Sequence, residues 1–162
     1  MPGMCGAGDL ERAMKRTGLL TAFATLAISV SPAIADVSTR DSSTAARMVS
    51  AWRASHGLSS VRVDEALNRA ASTQTQAMMA QGVMSHDAGG DFRTRMRAHG
   101  VRASSAENIA MGQPSVQHVM STWQGSWGHN ANLLNPDMVR VGLARGVTAA
   151  GQIYWTLVLS AR

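Results

Sequence analysis

Trp123-Gln124-Gly125-Ser126-Trp127-Gly128-His129-Asn130-Ala131-Asn132-Leu133-Leu134 is the stretch on which the fold reading turns. It opens at the end of a helical pattern. Val116, Val119, Met120, Trp123 and Trp127 recur at helical spacing from a start near Ser115, so all five are expected on one inner face. It closes on Asn130-Ala131-Asn132, a density of asparagine that suits a turn whose side chains bond the backbone. His129 follows Gly128 at that junction and is either a structural or a reactive histidine. Gly125-Ser126-Trp127-Gly128 is one residue short of a Gly-x-Ser-x-Gly nucleophile elbow, and Ser126 sits in or just after a helix, not on a strand-to-helix turn.

On the C-terminal side two strands follow. Val139, Val141 and Leu143 alternate with Arg140, Gly142 and Ala144, and Ile153, Trp155, Leu157 and Leu159 alternate with Tyr154, Thr156, Val158 and Ser160. The short link Val147–Gly151 makes them an antiparallel hairpin. On the N-terminal side Ala45, Met48, Val49, Trp52 and His56 mark the inner stripe of a first helix, stopped at Gly57. Asp64 can cap a second helix with Leu67, Ala70, Ala71, Thr75 and Met78 inside and Gly82 at its end. Asp91 can cap a third, shorter one through Phe92 and Met96, closed by Gly100. Helices first and strands last, without alternation, predict an α+β domain in which about four helices cover a small antiparallel sheet.

Two further segments could carry chemistry beside His129. His86 follows Ser85 after the second helix and precedes the loose Asp87-Ala88-Gly89-Gly90. Taken alone it could simply complement the negative end of a helix. Glu107 is the only acid between Asp91 and Asp137 and lies in the apolar run Ala106–Ala110. A carboxylate there must find donors or shift its pKa upward. His56, on the first inner stripe, and His99 and His118 offer less. There is no His-Glu-x-x-His and no phosphate-cradling glycine loop. Any chemistry must therefore come from residues distant in sequence.

Residues 1–35 read as a signal peptide: Lys15-Arg16, an apolar run from Thr17 to Val30, then Ala33-Ile34-Ala35. The run of about 14 residues falls short of the roughly 20 that span a bilayer. Met14 would make a conventional start, which would leave residues 1–13 ahead of it. Residues 36–43 are polar and expected as a flexible leader to a domain over 44–162. Cysteine is absent from Asp36–Arg162, which excludes a thiol nucleophile, a thiolate metal site and disulfides. That stretch holds 12 arginines, no lysine and 8 acids, net +4. Arg93, Arg95, Arg97 and Arg102 are the densest basic cluster and read as a solvated face. Phe92 alone accompanies them, so no base-stacking platform exists and nucleic acid is not an expected partner.

The order of these segments resembles the CAP superfamily, which includes cysteine-rich secretory proteins, insect antigen 5 and plant pathogenesis-related class 1 proteins, and within it the short cysteine-free bacterial branch. The likeness runs from about Ala45 to Leu159. It is carried most specifically by Trp-x-x-Ser-x-Gly-His-x-x-Asn-Leu-Leu at Trp123–Leu134, with Ser85-His86 and Glu107-Asn108-Ile109-Ala110 in order before it. The resemblance implies an α-β-α sandwich with a central cleft lined by two histidines and two acids. His86 and His129 match the histidines and Glu107 the first acid. Ser126 stands where many eukaryotic members have the second acid, and Asn130 replaces a basic residue. Ser126, Asn108 and Asn132 are the remaining candidates for contact with a ligand. With one acid fewer, the site has less negative charge to hold a metal and one fewer partner to orient its imidazoles. No cofactor is expected to be required, with weak zinc binding through His86 and His129 as the metal alternative.

Three functions stay open. The cleft reads either as a binding site for a small amphipathic molecule, as reported for family members, or as a hydrolase site in which His86, Glu107 and His129 activate water. The arginines could instead hold an anionic envelope polymer, a contact that salt would screen over about 8 Å. In each case we expect an exported monomer, periplasmic or secreted, without a transmembrane segment once the signal is cleaved.

Overall fold

The alternation in the C-terminal hairpin predicts strands with two distinct faces, and both faces are buried. The computed structural model describes residues 36–162, so the signal-peptide expectation for residues 1–35 lies outside the described residues. Along the chain run β1 (Asp36–Ser38), α1 (Ser42–Ala54), β2 (Arg62–Val63), α2 (Glu65–Gln81), α3 (Phe92–Ala98), β3 (Ser105–Met111), α4 (Val116–Gly125), α5 (Trp127–Leu133), β4 (Arg140–Val147) and β5 (Ile153–Ser160). The strands form one sheet in the order β1-β4-β5-β3, antiparallel throughout, and β2 adds a short parallel pairing to β4.

One face of the sheet carries large side chains. Val141, Leu143, Trp155, Leu157 and Leu159 join Val49 of α1, Val119, Met120 and Trp123 of α4 and Leu133 of α5 in a single cluster. The opposite face is covered by α2 and α3, where Ala144 and Val158 meet Leu67, Ala70, Ala71 and Met96. The architecture is an α-β-α sandwich, as expected. Its second layer is close-set because β4 shows α2 only Gly142, Ala144 and Gly146. A Cβ at Gly142 would run into the backbone of Leu67 and Asn68.

Local signals hold well at the helix ends. Asp64 accepts from the N–H groups of Ala66 and Leu67 at 2.9 and 3.2 Å, and Asp91 from Thr94 N–H at 2.8 Å. Gly82 ends α2 at φ 67°, the left-handed conformation that favours glycine.

Other expectations are corrected. There are five helices among the described residues, because the chain turns extended at Ser126 (φ −102°, ψ 121°) and separates α4 from α5. Trp127 therefore leaves the inner stripe and is 90% exposed. His56 falls beyond the end of α1 and is exposed, its ring 4.4 Å from that of Trp52. Residues 36–38, expected as part of a flexible leader, pair with Arg145–Val147, and α1 already begins at Ser42. β3 was not expected, since Ala-Glu-Asn-Ile-Ala has no alternation and a single strong strand former, Ile109. Its pairing with β5 is what makes it a strand.

Replacing Gly142 with Ala is expected to cost about 3 kcal/mol, the upper end of ordinary overpacking, because the obstruction is backbone. A urea midpoint equal to that of the parent chain would mean α2 can move off β4 freely.

Candidate functional site

Glu107 lies on β3 with its side chain 3% exposed, so its carboxylate must be satisfied by protein groups. Two donors meet it. Arg95 Nη2 donates to Oε2 at 2.5 Å, and His86 Nδ1 donates to Oε1 at 2.9 Å. A carboxylate can only accept, so the proton of neutral His86 sits on Nδ1 and leaves Nε2 as an acceptor. The side chain of His86 is 53% exposed while that of Arg95 is 2% exposed.

The loop bearing His86 is held from below. Gln74, fully buried in α2, donates to the carbonyls of Ser85 and His86 at 2.6 and 3.2 Å and accepts from Gly89 N–H at 3.0 Å. Arg95 Nη1 donates to Gly90 O at 2.8 Å and His86 O at 3.4 Å. The Gly89 position is tight, since a Cβ there would lie 2.7 Å from Gln74 Oε1.

His129 arrives from the other layer. Its Nδ1 lies 2.9 Å from Ser126 Oγ, and its carbonyl accepts from Asn108 Nδ2 at 3.1 Å. Asn132 Nδ2 donates to Asn108 Oδ1 at 2.8 Å and to Glu107 O at 3.3 Å. At the far side α1 fixes α5: Trp52 Nε1 donates to Asn130 Oδ1 at 2.8 Å, and buried Arg53 donates to the carbonyls of Leu133 and Asn135, each at 2.8 Å. Of the ligand-contact candidates, Asn108 and Asn132 thus hold α5 against β3, and Ser126 bonds the ring of His129.

The two halves meet across one strand. Glu107 pairs with Val158 and Asn108 with Leu157. Val158 belongs to the α2–α3 layer and Leu157 to the α1–α4–α5 layer. Adjacent residues of an edge strand therefore reach into opposite layers and collect one histidine each. Burial lowers the pKa of His129, and charge on His86 adds to the effect.

Arg95 is the functional residue that sequence reasoning missed, having placed it on a solvated basic face. Helical spacing held the signal: Phe92, Arg95, Met96 and His99 recur at i, i+3, i+4 and i+7, and Arg95 and Met96 are both buried. Gln74 lies in the same way between Ala71 and Met78 on the inner face of α2. Among the described residues no three His, Cys, Asp or Glu side chains are gathered as a metal-holding set. Both Glu107 oxygens are already taken, which leaves two imidazoles as donors.

The structure is a three-layer sandwich whose edge strand bonds the ring of His86 through Glu107 and the backbone of His129 through the next residue, Asn108. Residues 46–159 match the model of the CAP, cysteine-rich secretory protein, family, and the chain belongs to that family. It is 33% identical over 113 residues to the uncharacterized protein YkwD of Bacillus subtilis (strain 168), covering 67% of this chain and 42% of that one. The chain thus spans less than half the length of this relative. In fold it is similar to an outer surface protein of Borrelia burgdorferi, with a TM-score of 0.68 at 18% identity over 74% of this chain and 91% of that one. An extracellular protein containing an SCP domain from Bacillus anthracis str. Ames gives a TM-score of 0.67 at 21% identity over 75% and 40%. No described helix is long and apolar enough to cross a membrane.

Glu107→Ala should cost about 3–5 kcal/mol, because it strands the Arg95 guanidinium in the interior. Chemical denaturation measures this directly, and a loss below about 1 kcal/mol would remove the pair from its anchoring role.

The imidazoles set a pH profile. His86 is raised above the ordinary value of about 6.5, first by its hydrogen bond to Glu107, with burial opposing. Its contribution to stability is complete below that ordinary value and is lost as pH rises through the raised one. His129 and His99 are lowered, burial being the larger cause in each, so they weaken the fold as pH falls below about 6.5 toward their depressed values. Melting temperature should therefore peak near pH 6.5. In His86→Gln the decline on the alkaline side should flatten, and an unchanged decline would dissociate it from His86.

Proposed function

We propose that this CAP domain is exported and that its His86–Glu107–His129 cleft binds a small amphipathic molecule or an envelope component with apolar and polar parts. The observation that carries the proposal is the placement of exposed apolar side chains. Among the described residues Val83, Met84, Met111 and Trp127 are the exposed large hydrophobics. Val83 and Met84 lead into His86, Met111 shares β3 with Glu107, and Trp127 opens the helix that carries His129. Apolar surface left in water around converging polar groups is the usual form of a ligand site. The names of the similar structures, an outer surface protein and an extracellular one, support the exported setting.

In this proposal Nε2 of His86 is the polar anchor, while Glu107 and Arg95 hold it in place. No resident metal is required, and zinc offered two imidazoles and water would bind weakly. A second reading, a peptidase-like hydrolase, is favoured by the His86–Glu107 geometry alone. A carboxylate on Nδ1 orients the ring so that Nε2 can take a proton from water. Glu107 itself, bonded through both oxygens, would act only through His86.

A dansylated medium-chain fatty acid provides the test. The parent chain should bind it, and Trp127→Ala should bind at least about tenfold more weakly at unchanged melting temperature, since the indole makes little contact with the fold. Equal affinity in both proteins, or none in either, would sink the binding proposal. Release of peptide fragments from casein that disappears in His86→Ala would move the assignment to the hydrolase.

A further inference from the structure

α3 presents arginines to two sides. Arg95 turns inward to Glu107, as described. Arg93 and Arg97, four residues and about one turn apart, share another face of the helix. Together with Arg102 they line a cavity of about 380 Å³ whose other walls are the apolar Phe92, Met96 and Val101 and the chain from Ala103 through Ser104 to Ser105. Met96 and Val101 are buried and Phe92 half-buried, while the three guanidinium-bearing residues are exposed.

Among the described residues no acid pairs with these cations. The ion pairs there involve His86, Arg95 and Arg140 and none of the three. The acid nearest in sequence, Asp91, uses Oδ1 to cap α3 through Thr94 N–H. Its carboxyl is held below the ordinary range first by Thr94, with Arg93 and Arg97 adding to the effect. A hollow lined by charges of one sign concentrates its field on whatever enters. The planar fork of arginine matches the oxygens of phosphate, with two parallel N–H···O bonds per contact. All three residues line one cavity.

We propose that this cavity is a phosphate-binding site, taking the group either as a free oxyanion or as the phosphate ester of a lipid headgroup. The site uses none of the cleft residues His86, Glu107 and His129, so either assignment can fail without the other.

The test uses the full chain at low and physiological salt. Inorganic phosphate is titrated calorimetrically, and co-sedimentation is measured with phosphatidylcholine vesicles with and without phosphatidylglycerol. The triple variant R93Q/R97Q/R102Q is compared with R40Q/R47Q/R62Q, which removes the same charge from exposed positions elsewhere. Binding should weaken at least about tenfold in the first and no more than about twofold in the second, because charge-assisted contacts are lost only in the first. Binding of phosphate identifies the free ion as sufficient; binding of the anionic vesicles alone identifies the lipid headgroup. Equal losses in the two triple variants would reduce the effect to overall charge and overturn the site, as would absence of binding in both arms.

Discussion

The site depends on one buried carboxylate having two donors. Glu107 sits where an unpaired negative charge would cost several kcal/mol, and Arg95 sits equally dry beside it. Neither could be buried alone. The pair ties α3 to β3, and the oxygen that Arg95 leaves free captures Nδ1 of His86. Ring orientation, tautomer and loop position at His86 follow from that arrangement. Arg95 contributes twice, since its other terminal nitrogen holds the carbonyls of His86 and Gly90. Gln74 below the loop adds to this cluster by bonding the carbonyls of Ser85 and His86 and the N–H of Gly89, while Arg95 Nε is left buried without a partner.

β3 draws partners from both layers. It is an edge strand, so its free side faces protein groups other than a further strand. The carbonyls of Glu107 and Ile109 accept there from Asn132 and Trp123, at 3.3 Å each. These bonds cover part of an edge that would otherwise be open to pairing with another chain. The period-two geometry of the strand then sends Glu107 into one layer and Asn108 into the other. Each recruits its own segment: Glu107 the loop of His86, Asn108 the helix of His129. Exposed apolar side chains precede both histidines, Val83 and Met84 before His86 and Trp127 before His129. The outer side of α3 carries a separate, cationic hollow.

Much of this architecture was legible in the sequence wherever the deciding interaction is local. Asp64 and Asp91 are caps because their own helix N–H groups lie two or three residues away. Gly82 ends a helix through its own φ. The β4–β5 hairpin announces itself by alternation across a short loop. The pairing of His86 and Glu107 could be expected only through a family resemblance, and the geometry of that contact was not readable. The break at Ser126 was hidden because Trp127 continues the apolar spacing of α4 by coincidence. Arg95 was hidden because three neighbouring arginines make a solvated face the simpler explanation.

What the sequence determined by itself, then, was the set of elements with local causes: capped helices, one hairpin and an α+β order, together with three polar residues out of place in their surroundings. Tertiary structure alone decided that Asp36–Ser38 and Ser105–Met111 are strands, that Arg95 finds its partner in Glu107, and that Trp127 stands in water. The physical reason is range. Strand pairing and burial of charge are settled by partners far along the chain, such as β5 for β3, or Glu107 twelve residues from Arg95 and 21 from His86. No short window of sequence contains both members of such a pair.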